Sequence, residues 1–230
     1  MFYYRYDPTY LLLIPGLLLA LYAQIKVSDT YFKWKRVSTR SGMTGAEMAR
    51  LILDGNGCGN VRIERVAGKM TDHYDPQDGV LRLSNEVYSS DSVAAIGIAA
   101  HEAGHAIQDV QSYAPLRIRA ALVPVANIGS NAAIPLFMLG LIFSWQPLLK
   151  IGILCFALAV LFYLVTLPVE FNASNRAVAL LGSGLLPDDE VQGVKKVLSA
   201  AALTYVAAAL QALLQLLRLV VLAGARRRDD

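Results

Sequence analysis

Two histidines and a glutamate lie close together in the stretch HEAGH, at His101, Glu102 and His105. Residues four apart share one face of an α-helix, so both imidazoles can face one metal ion. Zinc lowers the pKa of a bound water toward neutrality, and a neighbouring carboxylate can then take its proton. The spacing therefore predicts the H-E-x-x-H site of a zinc metalloprotease. The alternative, a pair of core histidines, is disfavoured because a buried glutamate without a partner is costly.

A catalytic zinc needs a third protein ligand, and few acids follow His105 in the chain. Asp109 continues the stripe of His101 and His105, but it lies too far along the same helix to close a compact tetrahedron. Glu170 follows the third of four apolar runs, and a membrane hairpin would return it to the face that holds His101. We therefore predict Glu170 as the third ligand, with an interfacial carboxylate as the alternative. Cobalt or manganese would also suit this ligand set.

The third histidine, His73, lies in the stretch TDHYDP, beside a predicted strand. Three interpretations stay open for it: a metal ligand, a hydrogen-bond donor to the transition state, or an ordinary turn residue. Its place before the H-E-x-x-H helix favours the wall of a substrate cleft, where it would steady the tetrahedral oxyanion. Glu102 as general base and His73 in support are thus the predicted catalytic residues.

The composition is that of a membrane protein, with 55% hydrophobic residues and a mean hydropathy of +0.44. A net charge of +3 is too weak and scattered to indicate a nucleic-acid partner. Four apolar runs could each form a membrane helix: Tyr10–Val27, Ala121–Phe143, Leu148–Val169 and Leu198–Gly224. Tyrosines before the first run are typical of an interfacial aromatic belt, at positions 3, 4, 6 and 10. A cleaved signal peptide is the alternative for that run.

The second and third runs are separated only by Trp145, Gln146 and Pro147, which predicts an antiparallel helical hairpin through the membrane. The fourth run carries Gln211, Gln215 and Arg218 on a shared helical face, so it either spans or lies partly against the rest of the protein.

The one sizeable polar segment, residues 28–119, contains the elements of a small catalytic domain. Thr44 and Glu47 form a predicted capping box at the start of a helix. The stretches NVRIERVAG and GVLRLS alternate apolar and polar residues, so they predict strands on either side of a turn. The second strand could also pair with an extended peptide.

The predicted fold is α+β and mainly helical: an integral membrane protein with about four transmembrane helices and a small catalytic domain carrying a minor β-sheet. Five segments follow along the chain. They are an N-terminal transmembrane helix (1–27), a cytoplasmic catalytic segment (28–119), a transmembrane hairpin (120–169), a cytoplasmic helix with the third zinc ligand (170–197), and a C-terminal membrane helix and tail (198–230).

Basic residues set the predicted orientation. Basic residues cluster near the end of the first run and before the second: Lys26, Lys33, Lys35, Arg36, Arg40, Arg117 and Arg119. Because positive charges are enriched on the cytoplasmic side of a membrane, this cluster predicts that the segment between the two runs is cytoplasmic. Lys195 and Lys196 agree with this orientation. The three arginines at 226–228 do not agree if the fourth run spans fully.

With these residues in place, the sequence resembles the YugP-type membrane zinc metallopeptidases, also called neutral zinc metallopeptidases. The stretches that carry the resemblance are TDHYDPQDGVLRLSNEVYSSDSVAAIGIAAHEAGHAIQ, APLRIRAALVPVANIGS and TLPVEFNASNRA. That family is similar in turn to the HtpX and CAAX-prenyl proteases, gluzincins with an active site at the cytoplasmic membrane face. The resemblance implies a gluzincin-like catalytic domain, with His101, His105 and Glu170 as zinc ligands and Glu102 as general base.

The chain departs from the HtpX-like pattern at one position. That pattern has an aspartate four residues after the ligand glutamate, where this chain has Ser174. Ser174, Asn175 or Arg176 could hold a histidine or a substrate oxygen in its place.

We therefore expect a multi-pass zinc endopeptidase of the bacterial plasma membrane, with one catalytic Zn²⁺ and an active site facing the cytoplasm. Its expected partners are a peptide or membrane-protein substrate and the lipid bilayer, for instance in membrane-protein quality control, and not nucleic acid. One alternative is a catalytically silent scaffold with the same fold. Another is a site-2-type intramembrane protease. This alternative is disfavoured because the LDG stretch of this chain lies upstream of HEAGH and in a polar segment. A transporter is disfavoured because the first three runs lack charges in mid-membrane.

Overall fold

A computed structural model describes the chain from residue 7 to residue 226, and its side chains to residue 224. Of the predicted features, Tyr3, Tyr4 and Tyr6 of the aromatic belt and Arg227 and Arg228 of the tail lie outside the described residues. Seven α-helices are described: α1 (Ile14–Trp34), α2 (Gly45–Gly55), α3 (Asn85–Tyr88), α4 (Val93–Val110), α5 (Ala114–Ile142), α6 (Gln146–Leu180) and α7 (Asp188–Arg226). The strands are β1 (Arg62–Val66), β2 (His73–Asp75) and β3 (Val80–Ser84). A 3₁₀ helix, Pro8–Leu13, precedes α1, and a π-helical segment, Leu181–Leu185, follows α6.

The chain divides into two compact units. One, here called the helical unit, takes the chain up to Tyr22, Ile118–Leu167 and the chain from Thr204 onward. The other, here called the mixed unit, takes Ala23–Arg117 and Pro168–Leu203. The mixed unit holds all three strands and the H-E-x-x-H helix.

Within residues 7–226, four helices are long and apolar enough to cross a membrane: Pro8–Trp34, Ala114–Ile142, Gln146–Leu185 and Asp188–Gly224. The first has 27 residues. At a rise of about 1.5 Å per residue it is about 40 Å long, more than the roughly 30 Å of a hydrocarbon core. The predicted α+β, mainly helical membrane fold, with four helices long and apolar enough to span, is thus confirmed.

The predicted antiparallel hairpin of the second and third runs is present as α5 and α6. Glycines let their backbones approach closely: a Cβ on Gly129 would lie 2.7 Å from the Cys155 carbonyl oxygen, and one on Gly152 would lie 2.8 Å from the Phe137 nitrogen. The link is residues 143–145. Gln146 and Pro147, predicted as part of that link, instead open α6, where a proline is tolerated because the first helical N–H groups have no partner within the helix.

Arg218, a cation within the apolar helix α7, has partners inside the helical unit. Its guanidinium lies 2.8 Å from the Asp7 carboxylate, and its Nε donates to the Thr9 hydroxyl at 3.1 Å. It also stacks on the Tyr10 ring, 3.7 Å from the ring centroid. These contacts lower the cost of a charge in an apolar helix, because an ion pair with hydrogen bonds replaces water.

The mixed unit contains a three-stranded sheet in the order β1-β3-β2, with β3 parallel to β1 and antiparallel to β2. The two predicted strands are confirmed as β1 and β3. Strand β2 lies in the segment predicted as a turn, because three residues are too few to show the alternation of a strand. Both edges of β3 are already paired, so the expectation that β3 would bind an extended peptide is wrong.

Two helices of the mixed unit, α2 and α4, begin at capping residues. The capping box of α2 is confirmed: the Thr44 hydroxyl accepts from the Glu47 amide, and the Glu47 carboxylate accepts from the Thr44 amide at 2.8 Å. Helix α4 begins after Ser92, whose hydroxyl accepts from the Ala95 amide. It ends just before Ser112, which adopts a left-handed φ of 55°. Most residues of α4 are buried, many of them alanine or glycine, so the unit packs closely around this helix.

Gly104 of α4 lies against the backbone of α6. A Cβ at this position would meet the carbonyl oxygen of Ala173 at 2.9 Å, closer than side chains normally approach. The absence of a side chain at Gly104 therefore lets the two helices come into backbone contact.

We predict that Gly104→Ala lowers the free energy of unfolding by about 1–3 kcal/mol, because the added methyl group forces α4 and α6 apart. The measurement is thermal or denaturant unfolding of the detergent-solubilised protein. Gly55→Ala is the matched control, since Gly55 is exposed at the end of α2 and its Cβ would meet nothing within 4 Å. A helical glycine replaced by alanine ordinarily gains about 0.5–1 kcal/mol. A Gly104→Ala protein as stable as the Gly55→Ala protein would contradict the close approach.

Candidate metal centre

Three side chains from two helices converge in the mixed unit. Helix α4 presents His101 and His105, and α6 presents Glu170. Their ligand atoms all lie within 4.8 Å of one another. Among the residues that the structure describes, no other group of histidines, cysteines and carboxylates is arranged to hold a metal ion. The structure therefore brings together the three residues predicted as ligands, whereas Asp109 lies outside the group.

The separations of the Glu170 carboxylate from the two imidazoles are close to those around a zinc ion. The Glu170 Oε2 lies 3.4 Å from the His101 Nε2 and 3.7 Å from the His105 Nε2. Tetrahedral zinc with bonds of about 2.0–2.1 Å places its ligand atoms about 3.3 Å apart. The two imidazole rings are nearly perpendicular, at 83°, with centroids 4.8 Å apart. Two imidazole nitrogens and one carboxylate oxygen form a donor set typical of catalytic zinc sites.

Each histidine has a hydrogen-bond partner at its Nδ1 atom. The His101 Nδ1 lies 3.1 Å from the Ser174 hydroxyl, and the His105 Nδ1 lies 3.0 Å from the Gln108 Oε1. Such outer contacts orient the ring and leave Nε2 for a metal. The expectation that Ser174 could hold a histidine is confirmed.

The electrostatics of the site favour a positive charge. Burial alone would lower the pKa of His105, but hydrogen bonding to Glu170 and the charges of Glu102 and Glu170 together hold that pKa above its usual value. Burial also raises the pKa of the Glu102 carboxyl, although His101 and His105 oppose this rise. A carboxylate with a raised pKa takes up a proton more readily, as a general base in hydrolysis must.

Glu102 is held by strand β2. The Tyr74 backbone amide donates to the Glu102 Oε2 at 3.2 Å, and the Tyr74 hydroxyl donates to the Asp109 carboxylate at 2.9 Å. Glu102 and Asp109 lie about two turns apart on α4. Tyr74 therefore holds β2 against that helix at two points. Asp109 thus has a structural contact in place of the metal ligation considered for it.

His73, the residue before Tyr74, is exposed on β2 and is not part of the group of potential ligands. Its Nδ1 lies 2.7 Å from the Thr71 carbonyl oxygen. A carbonyl only accepts, so Nδ1 carries the proton in the neutral ring and Nε2 is an acceptor. His73 can therefore donate to an oxyanion through Nε2 only when the ring is doubly protonated. Its supporting role stays a prediction.

Sequence reasoning missed two residues of the site, Gln108 and Tyr74. Gln108 follows His105 by three residues, on the same side of α4, and it is a buried polar residue in an apolar segment. That position was a usable signal for a partner of His105. Tyr74 gave no such signal, because its contact with Glu102 is made through the backbone.

Comparison with known proteins adds the family context. Residues 9–224 match a family described as "putative neutral zinc metallopeptidase". The chain is 50% identical over 212 residues to the "putative membrane protease YugP" of Bacillus subtilis (strain 168), covering 92% of this chain and 94% of that protein. No solved structure matches the chain.

Proposed function

We propose that this chain, which belongs to the neutral zinc metallopeptidase family, is a membrane-embedded endopeptidase that uses one zinc ion to hydrolyse peptide bonds. The observation that carries this proposal is the convergence of His101, His105 and Glu170 beside the carboxylate of Glu102. Two helices far apart in sequence supply this set. A protein that only bound metal, or only scaffolded partners, would have no need of Glu102.

In the proposed reaction, His101, His105 and Glu170 would hold the zinc ion. When bound, zinc supplies a Lewis acid that polarises a carbonyl group and acidifies water. Glu102 takes a proton from the attacking water as the new C–O bond forms at the peptide carbonyl. It then passes that proton to the amide nitrogen as the C–N bond breaks, so a carboxylic acid and an amine leave the site. The Tyr74 amide keeps the Glu102 carboxylate in place during both transfers.

The site is proposed to act at the cytoplasmic face of the bacterial plasma membrane. Along α6, Glu170 stands only three residues beyond Leu167, the last residue of the helical unit's part of that helix. The basic residues near α1 and before the second run favour a cytoplasmic location for the polar segment. Peptides and membrane proteins that reach this surface, including those subject to quality control, are the proposed substrates.

The H-E-x-x-H helix itself is not among the four helices apolar enough to cross a membrane. A site-2-type intramembrane protease carries that motif inside a spanning segment. The composition of α4 therefore favours hydrolysis at the membrane surface over hydrolysis within the bilayer.

We predict that Glu102→Gln lowers the turnover number for peptide hydrolysis by at least about 10²–10⁴-fold, because the amide cannot accept the proton from water. Zinc content is expected to stay at the wild-type level, since Glu102 is not in the ligand group. The measurement is cleavage of a peptide library by the purified protein, with new amino termini identified by mass spectrometry. Glu64→Gln, on β1 and outside the ligand group, is the matched control. Cleavage at an unchanged rate by the zinc-loaded Glu102→Gln protein would favour the scaffold alternative.

We predict that His73→Ala lowers the turnover number by about 10–100-fold with little change in KM, because a donor to the oxyanion acts only in the transition state. Steady-state kinetics on the peptide identified above provide the measurement. Lys69→Ala, a change in the loop before β2, is the control for disturbance of that loop. Unchanged turnover in His73→Ala would make His73 an ordinary surface residue.

A further inference from the structure

Gln108 is fully buried and lies between the two helices that supply the metal ligands. Its Oε1 lies 3.0 Å from the His105 Nδ1. Its Nε2 donates to the Val169 carbonyl oxygen and to the Asn172 Oδ1, each at 2.9 Å. One side chain on α4 therefore contacts a histidine of the site and the stretch of α6 on both sides of Glu170.

The contacts allow only one orientation of this amide. The Val169 carbonyl can only accept a hydrogen bond, so the amide nitrogen of Gln108 must face it. The oxygen of Gln108 must then face His105. Because that oxygen has no hydrogen to donate, the His105 Nδ1 must carry the proton.

Asn172 reinforces the same orientation. Arg176, which can only donate, gives its Nε–H to the Asn172 Oδ1 at 2.7 Å. The Arg176 Nη1 donates to the Gln111 Oε1 at 2.7 Å. Arg176 of α6 is therefore also bonded to α4, at the residue that caps the carboxyl end of that helix. The oxygen of Asn172 is thereby directed toward the amide of Gln108, and a flipped Gln108 would place two oxygens against each other.

When its ring is neutral, His105 is thus held in one tautomer. A neutral imidazole with its proton on Nδ1 has its lone pair on Nε2, the atom that lies 3.7 Å from the Glu170 Oε2. The partner of His101 imposes no such choice, because the Ser174 hydroxyl rotates and can donate or accept. The two histidines of the site therefore differ in how strongly their tautomers are fixed.

We propose that Gln108 is a positioning residue for the metal centre, which selects the Nδ1–H tautomer of His105 and holds α4 in register with the backbone beside Glu170. The proposal rests on the proposed function only for its use of zinc. The tautomer itself is a property of the protein without metal. Gln108 contacts neither metal nor substrate in this role and acts through His105 and Val169.

The test compares three variants of the full chain in detergent: Gln108→Met, Gln108→Glu and Ser174→Ala. Methionine keeps the volume of the side chain, but its thioether sulfur is only a weak hydrogen-bond acceptor for His105. Glutamate keeps that oxygen but cannot donate to Val169 while ionised. Ser174→Ala removes the matching contact at His101 and is the control for loss of one hydrogen bond at the site.

The first readout is the tautomer, measured by ¹H–¹⁵N correlation NMR on histidine-labelled protein treated with chelator, at a pH high enough for the His105 ring to be neutral. The chain has three histidines, so their signals are assigned by single substitution. Wild type and Gln108→Glu are expected to show His105 with the proton on Nδ1, and Gln108→Met is expected to show a mixture of tautomers. An unchanged His105 tautomer in Gln108→Met would overturn the proposal.

The second readout is zinc affinity, measured by competition with a chromophoric chelator. Gln108→Met is expected to bind zinc about 10–100-fold more weakly than wild type, the usual cost of losing an outer contact to a ligand histidine. Ser174→Ala is expected to lose less, and Gln108→Glu is expected to lie between wild type and Gln108→Met. Wild-type affinity in folded Gln108→Met would overturn the proposal.

If Gln108→Met does not fold, the Gln108→Glu protein decides the matter. Retained Nδ1–H tautomer and zinc affinity within a few-fold of wild type would support the proposal, and loss of the tautomer would overturn it. Neither readout uses hydrolysis, so a failure of the proposed peptidase activity would leave both results interpretable.

Discussion

The backbone contact between α4 and α6 is the constraint on which the rest of the site depends. A Cβ at Gly104 would lie 2.9 Å from the Ala173 carbonyl oxygen, and Ala173 is three residues after Glu170 on α6. At this separation the Glu170 carboxylate reaches both histidines of the facing helix. The same approach brings Gln108 within hydrogen-bonding distance of Val169. One residue without a side chain thus makes room for both the ligand group and the contacts around it.

Much of the site was predictable because its signals are local or depend on chain topology. The HEAGH spacing is a property of one helix, and Glu170 followed from a membrane hairpin that returns the chain to its starting side. The capping box at Thr44 and the four apolar helices are equally local. Strand β2 was missed because it is only three residues long, and the choice of β3 as a peptide-binding strand failed because strand order is not encoded in one strand's own pattern. Tyr74 was missed because a backbone amide carries no sequence signal.

One charged residue in each unit, Arg218 and Glu170, is held by contacts that replace water. In the helical unit, Arg218 has the Asp7 carboxylate and the Tyr10 ring as partners. In the mixed unit, buried Glu170 faces two imidazoles, which suits a divalent cation bound by all three. A bound zinc would balance the carboxylate, while the hydrogen bonds at each Nδ1 keep both rings turned toward it. The contacts between α4 and α6 therefore serve both the stability of the fold and the binding of a metal ion.

The most direct test of the account is zinc binding by Glu170→Gln, measured by equilibrium dialysis and metal analysis, with Glu64→Gln as control. Wild type and Glu64→Gln are each expected to bind one zinc ion per chain. Glu170→Gln is expected to lose more affinity than the about 10–100-fold that an outer contact contributes, because it removes a ligand itself. A Glu170→Gln protein that folds and binds zinc with wild-type affinity would contradict the proposed centre.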